Sequence, residues 1–371
     1  MLSSYPSSAF ADDALLWKGK SLQRQASIQL LARNTAGATA LFTQARAAYQ
    51  SVITTYPNTI PTLIPESNYQ IGVSYFDEKN YAVARSTLLA VLANYPTSTI
   101  ADGAQYHLAR SIHELARVVP PTTYTFAQAR TEYAKLMTTY PASIWIDNAQ
   151  YQIGKTYFDE LNYVTAIAEF NKVFANYPAS TIADSAQYYL ARSMHALALA
   201  TTPTYTLTQA RTAYAKLFTS YPASTLVDNA QYQIGKTYYD ELNYATAITE
   251  FNLVLINYPV SSIADEAQYY KARSTHALAL SPTSGYTFAN ARAEYARVIS
   301  NYPASIFADN ASYRSAYTYH DATQCTPGLT AMQAFVLKYS MSPMSTLLVA
   351  TANTHISDLV LVPPVTHTPC F

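Results

Sequence analysis

The chain has 371 residues, half of them hydrophobic, with 23 Lys and Arg balanced by 23 Asp and Glu and a charged share of only 12%. That much apolar material excludes wholesale disorder, and sparse, balanced charge excludes a strongly basic nucleic-acid surface. No run of eighteen apolar residues reads as a membrane span, and residues 1–25 lack the charged start and apolar stretch of a signal peptide.

The chain opens with "MLSSYP", which has the form of the tail of a helix, and Tyr-Pro then returns along the whole length. It stands at Tyr5, Tyr56, Tyr95, Tyr140, Tyr177, Tyr221, Tyr258 and Tyr302, and Tyr339, followed by Ser, closes the series. A proline cannot continue a helix and pushes the residue before it toward extended geometry, so each Tyr-Pro is read as a helix stop. The spacing predicts eight helical-hairpin units over residues 1–339, at about 5–56, 57–95, 96–140, 141–177, 178–221, 222–258, 259–302 and 303–339. Short units of 37 residues alternate with long units of 44 or 45 along the later part of the chain. A lone terminal helix and a Pro-rich tail are expected in 340–371.

The unit from Asp147 to Pro178 shows the local logic. In "DNAQYQIGKTYFDELNYVTAIAEFNKVFANYP", Ile153, Gly154 and Tyr157 share one helical face, and Ala166, Phe170 and Val173 share another. "DELNY" is the turn between them. Gly154 and Ala166 are small where two helices must approach, with Tyr157 and Phe170 expected to fill the space around them. After seven of the eight Tyr-Pro tyrosines a Ser follows at three residues and an Asp at seven, as at Ser143 and Asp147. These are read as a cap and as a first-turn carboxylate that complements the helix dipole.

Gly154, Tyr157, Ala166, Phe170 and Pro178, and again Gly235, Tyr238, Ala247, Phe251 and Pro259, fall at the offsets of the tetratricopeptide repeat, and the chain resembles that family over nearly its whole length. The linker "YPxSxxADxAQ" is similar in style to tetratricopeptide units of bacterial envelope proteins, such as the outer-membrane assembly lipoprotein and the periplasmic cell-division coordinator. The resemblance implies an all-α superhelical solenoid that is not an enzyme and binds protein partners along a groove. Long units depart from the pattern: Ala191 takes the Gly position, Met194 the Tyr position, and the later residues resume seven positions late. The additions enlarge the loop inside the hairpin, as "VVPPTTYT", "ATTPTYT" and "LSPTSGYT", with "LARNTAGATAL" in the first unit. They predict a ridge along one edge, carried by Thr122, Thr123, Tyr124, Thr201, Thr202, Thr204, Tyr205, Thr283, Ser284 and Tyr286. This ridge is read as loop drift copied by duplication, or as a contact or O-glycosylated edge.

Other motifs yield no chemistry. "GKT" at Gly154 and Gly235 lacks the earlier glycine of a phosphate loop, since Ala149 and Ala230 stand there, and lies inside a helix. His113, His195 and His276 recur at matching places, too far apart to share a metal ion, and are read as packing or hydrogen-bonding residues. No nucleophile with a base partner occurs, so no catalytic, cofactor-binding or metal residues are assigned. Most tyrosines recur at fixed offsets and are assigned to packing, and Asn310-Ala-Ser312 carries little weight as a glycosylation triplet.

Cys325 and Cys370 are the only cysteines, read as a disulfide that pins the tail or as two free thiols. The ends look unshielded, which leaves trimming from a longer protein, a cap made by the last helix, or head-to-tail stacking of subunits. The leading expectation is a structural solenoid, extracellular or periplasmic, that self-assembles head to tail into a filament or tube. The alternative is a soluble envelope adaptor that binds a partner protein or peptide in its groove.

Overall fold

The computed structural model describes residues 10–57, 62–118, 123–340 and 346–361, with the backbone alone at Cys325 and 357–361. Every regular element among them is an α-helix, and the helices come in hairpins. In chain order these are α1 (Ala11–Leu31) with α2 (Thr35–Thr55), α3 (Leu63–Asp77) with α4 (Tyr81–Asn94), α5 (Ala101–Ala116) with α6 (Phe126–Thr139), and α7 (Ile146–Asp159) with α8 (Tyr163–Asn176). Then follow α9 (Ala183–Ala198) with α10 (Leu207–Ser220), α11 (Val227–Asp240) with α12 (Tyr244–Asn257), α13 (Ala264–Ala279) with α14 (Phe288–Asn301), and α15 (Ala308–Asp321) with α16 (Cys325–Tyr339). The last described element is α17 (Thr346–Leu361). The chain is an all-α solenoid of the kind the sequence predicts.

Two compact units divide inside α9, Met1–Ser193 and Met194–Phe371. Within each, consecutive helices pack on one another, and odd-numbered helices also touch: α1 with α3, α3 with α5 and α5 with α7 in the first unit, α11 with α13 and α15 with α17 in the second.

Inside a short hairpin the two helices meet at the glycine. A Cβ added at Gly154 would lie 2.6 Å from the Phe170 ring, and one at Gly235 would lie 2.7 Å from Phe251, so only glycine admits the fully buried ring. Tyr157 does not share that core. It is half-buried beneath the Arg130 guanidinium, 4.0 Å from the ring centroid, because the glycine–phenylalanine contact leaves no room between the helices for a second ring.

The short turn is made at a cost. Lys79, Leu161, Leu242 and Thr323 all have φ between 56° and 65°, the left-handed region that normally favours glycine. The next residue then caps the following helix in three of the four: Asn80, Asn162 and Asn243 accept backbone N–H groups of residues 83, 165 and 246 through Oδ1 at 3.3–3.4 Å. Long hairpins use a different start. Thr125, Thr206 and Thr287 form reciprocal capping boxes with Gln128, Gln209 and Asn290.

Between hairpins, the repeated Ser and Asp do more than the local capping expected of them. The Ser143 hydroxyl accepts the Trp145 N–H at 3.1 Å and donates to Asp102 of the preceding hairpin at 2.7 Å. Ser180 donates likewise to Asp147, Ser261 to Asp228 and Ser305 to Asp265, at 2.5–2.7 Å. The other oxygen of each Asp accepts the next backbone N–H, as at Gly103 and Asn148. At these four junctions the phrase therefore ties a hairpin to its predecessor, while the residues at the N-cap positions Trp145, Leu226, Ile263 and Phe307 make no side-chain cap.

At the two ends the helices differ. On α1, Trp17, Ile28 and Leu31 are exposed along one stripe. On α17, Ala352 is buried and Leu348, Val349 and Ile356 pack against the Met332–Phe335 cluster, which leaves Thr346, Leu347, Ala350, Asn353 and Thr354 outward. The disulfide expected between Cys325 and Cys370 lies outside the described side chains.

Candidate protein-interaction face

Three histidines that recur with the repeat join neighbouring odd-numbered helices. His113 Nε2 lies 2.9 Å from Asp159 Oδ2 in the first unit. In the second, His195 Nε2 is 3.0 Å from Asp240 and His276 Nε2 is 2.8 Å from Asp321. Each Asp is the last residue of its helix, and a second side chain holds its other oxygen: Lys155 on Asp159, Lys236 on Asp240, His320 on Asp321, at 3.1–3.3 Å. Burial by itself would raise these carboxyls, but the histidine hydrogen bond and the nearby cations outweigh it and hold all three below the usual aspartate value.

A buried tyrosine extends the chain behind one histidine. The Tyr295 hydroxyl, on α14, lies 3.4 Å from His276 Nδ1, so tyrosine, histidine and aspartate link three helices. The first hairpins build the same chain with an amide: Tyr49 donates to Gln23 Oε1 at 2.9 Å, and Gln23 Nε2 donates to Asp77 at 2.8 Å. There burial prevails over the Gln23 bond and the Arg110 charge, and Asp77 is raised.

In each unit the same latched helices carry cations stacked on aromatic rings. Arg110 lies 4.4 Å from the Phe76 centroid, Arg192 4.9 Å from Phe158, and Arg273 5.1 Å from Tyr239, each also near tyrosines of its own helix. Lys155 sits 3.9 Å from Tyr189 and Lys236 4.1 Å from Tyr270. The lysines are neutralised by Asp159 and Asp240, whereas among the described residues no carboxylate lies within ion-pair distance of Arg110, Arg192 or Arg273, and Arg110 acts on Asp77 only as a nearby charge. A half-buried guanidinium on a ring face keeps its N–H edge for an acceptor. These arginines occupy one repeat position, eight residues after Asp102, Asp184 and Asp265 and three before His113, His195 and His276.

Along the hairpin edge, the ridge residues Thr123, Thr201, Thr202, Thr204, Thr283 and Tyr286 are exposed, and Tyr124 and Tyr205 half-buried; Thr122 lies outside the described residues. Ser284 is engaged in the loop, donating to the Leu278 carbonyl at 2.6 Å and accepting the Tyr286 N–H at 3.2 Å. Among the described residues no group of three or more His, Cys, Asp or Glu side chains is placed to hold a metal ion.

The family model described as "Tetratricopeptide repeat" matches residues 13–59, 66–98, 148–180 and 229–261. The chain belongs to the tetratricopeptide repeat family. All but the first of these matches fall on short hairpins, those with the glycine and the tight turn, and the long hairpins lie largely between them. A search of the curated proteins found no match. Among solved structures, the apo form of the quorum sensor NprR from B. thuringiensis aligns with a TM-score of 0.54 at 10% identity, over 88% of this chain and 87% of that one. The C-terminal part of a TPR repeat-containing protein from Cytophaga hutchinsonii aligns with a TM-score of 0.53 at 15% identity, over 75% of this chain and 98% of that one. The apo form of RapI gives 0.52 at 10% identity, over 96% and 97%. At such identities the likeness is one of fold. A tetratricopeptide solenoid is suited to protein–protein interaction.

Proposed function

We propose that this protein is a non-catalytic scaffold that holds an extended, acidic segment of a partner protein against its odd-numbered helices. The observation that carries this reading is the stacked guanidinium without an ion pair, present at Arg110 and Arg192 in the first unit and again at Arg273 in the second. In a chain with zero net charge and few charged residues, unmatched cations at one repeat position are matched best by a partner's Asp and Glu side chains. The His–Asp latches fix neighbouring odd-numbered helices against each other, which preorganises the cations and lowers the ordering cost of binding.

Selection of peptides from a random library on the immobilised full chain tests the reading. Sequences rich in Asp and Glu are expected on the wild type and should disappear on the Arg110→Ser/Arg192→Ser/Arg273→Ser variant. Recovery of neutral peptides, or of the same peptides on both proteins, would overturn it.

Head-to-tail self-assembly is a second reading, supported by the exposed stripe of Trp17, Ile28 and Leu31 on α1. The mostly polar outward residues of α17 over 346–356 argue for a cap at that end instead. Replacing Trp17 and Ile28 by polar residues should abolish any filaments seen by electron microscopy; filaments that survive would sink this reading. The composition, poor in Lys and Glu and rich in Tyr and Thr, supports a place outside the cytoplasm, which cell fractionation checks, and mass spectrometry of the native protein checks for O-glycans on the ridge.

A further inference from the structure

Two leucines are placed where neither folding nor solubility favours them. Leu161 and Leu242 end their hairpin turns at φ 62°, and they are 70% and 69% exposed. A non-glycine residue in the left-handed region is strained, and an exposed leucine gains nothing from burial. Lys79 and Thr323 at the equivalent turns show that the position accepts polar residues. The same double cost at two sites 81 residues apart points to a gain made outside the monomer.

The surroundings of these leucines in the second unit define what fits them. The turn holding Leu242 is three residues long, between Asp240 and Tyr244, whereas the loops on either side along the edge run eight residues, 199–206 and 280–287. The helices that lead into those loops, α9 and α13, are also two residues longer than α11, about 3 Å of extra rise. The edge therefore alternates tooth, recess and tooth, with a leucine in the recess. The teeth carry Leu199 and Leu280, both exposed, and Tyr286, and neither loop contains a charged residue. Beside Leu242 the one acidic group, Glu241, is already neutralised by Arg211 at 2.9 Å.

We propose that this edge of the second unit pairs with the same edge of a second copy of the chain, displaced by one hairpin, so that a loop of one copy seats over Leu242 of the other, with Leu161 the equivalent seat in the first unit. An edge whose loops carry no charge and whose turn carboxylates, Glu241 and Asp240, are already paired offers little electrostatic handle to a charged partner. An alternation of tooth and recess at a fixed period is matched by another surface of the same period, and the chain itself supplies one. This pairing is separate from the stacked cations on the odd-numbered helices and does not depend on them.

Sedimentation equilibrium of the full chain over a wide concentration range tests the proposal. The wild type should show reversible dimers, and Leu161→Asn/Leu242→Asn should weaken dimerisation by roughly tenfold or more. Asparagine tolerates the left-handed turn, so the variant's melting temperature measured on the monomer should be unchanged or higher, which separates lost pairing from lost folding. Lys79→Asn, at a turn without a leucine, should leave dimerisation unchanged, as should the triple arginine variant. A wild type that stays monomeric, dimers that persist in the leucine variant, or equal weakening by Lys79→Asn would each overturn the proposal. Cross-linking of these leucines to a different protein, with the wild type monomeric, would overturn it as well.

Discussion

The junction of α1 with α3 and that of α5 with α7 are one construction in two chemistries. In both, the last aspartate of the later helix accepts a hydrogen bond from the earlier one, by an amide at Gln23 and by an imidazole at His113. Around Asp159 stand His113, Lys155 and Arg117, whereas Val73 occupies the position of Lys155 beside Asp77. The outcome reverses: Asp159 is held below its ordinary value and Asp77 is pushed above it. A repeat can thus preserve the geometry of a latch while changing whether its charge helps or opposes folding.

The sharpest way to break this comparison is to neutralise both carboxyls. Asp159→Asn should cost about 2–3 kcal/mol, because it leaves His113 and two cations without their anion. Asp77→Asn should change stability by no more than about 0.5 kcal/mol, since asparagine still accepts the Gln23 N–H and removes a partly buried charge. Urea unfolding followed by circular dichroism measures both, and equal costs would show that the two latches are alike.

The core rings extend the contrast. Phe170→Tyr should cost about 1–3 kcal/mol, because the glycine-lined core offers its hydroxyl no histidine. Tyr295→Phe should cost about 1 kcal/mol, the share of a single hydrogen bond to His276. If the two changes cost the same, the hydroxyl does not distinguish long hairpins from short ones.

Acid titration separates the latches by sign. Asp159, Asp240 and Asp321 have folded values below the ordinary 3.8, so their contribution is full above 3.8 and is lost as pH falls below it through the folded values. Asp77 is shifted the other way, so its contribution is present at low pH and is lost as pH rises above 3.8. Asp159→Asn should therefore flatten the acid limb of the stability profile, and Asp77→Asn should lift the neutral plateau relative to the acid limb. A small gain is expected at the turns, where Lys79→Gly should raise stability by up to about 1 kcal/mol, observable as a higher melting temperature.

Much of the fold was legible because its signals are local. Tyr177-Pro178 stops a helix, and the Gly154–Phe170 contact lies within one hairpin. The sites were less legible because their partners lie one hairpin away. Ser143 and Asp102 are 41 residues apart, and His113 and Asp159 are 46 apart, so a rule about neighbouring residues reads them as caps or packing. Yet a signal was present: Asp159, Asp240 and Asp321 recur in step with His113, His195 and His276 every 81 or 82 residues. Stacking one hairpin on the next converts that shared period into a contact. The stacked arginines needed still more, since the rings beneath Arg110, Arg192 and Arg273 include Phe76, Phe158 and Tyr239, each on a neighbouring helix.

The central claim is that the stacked arginines hold an acidic partner segment, and calorimetric titration of a selected peptide over a range of salt concentrations tests it most directly. Affinity should fall steeply as salt rises and should drop roughly tenfold for each of Arg110, Arg192 and Arg273 replaced by serine, the loss of one charge-assisted contact. An affinity indifferent to salt and to all three substitutions would contradict the account.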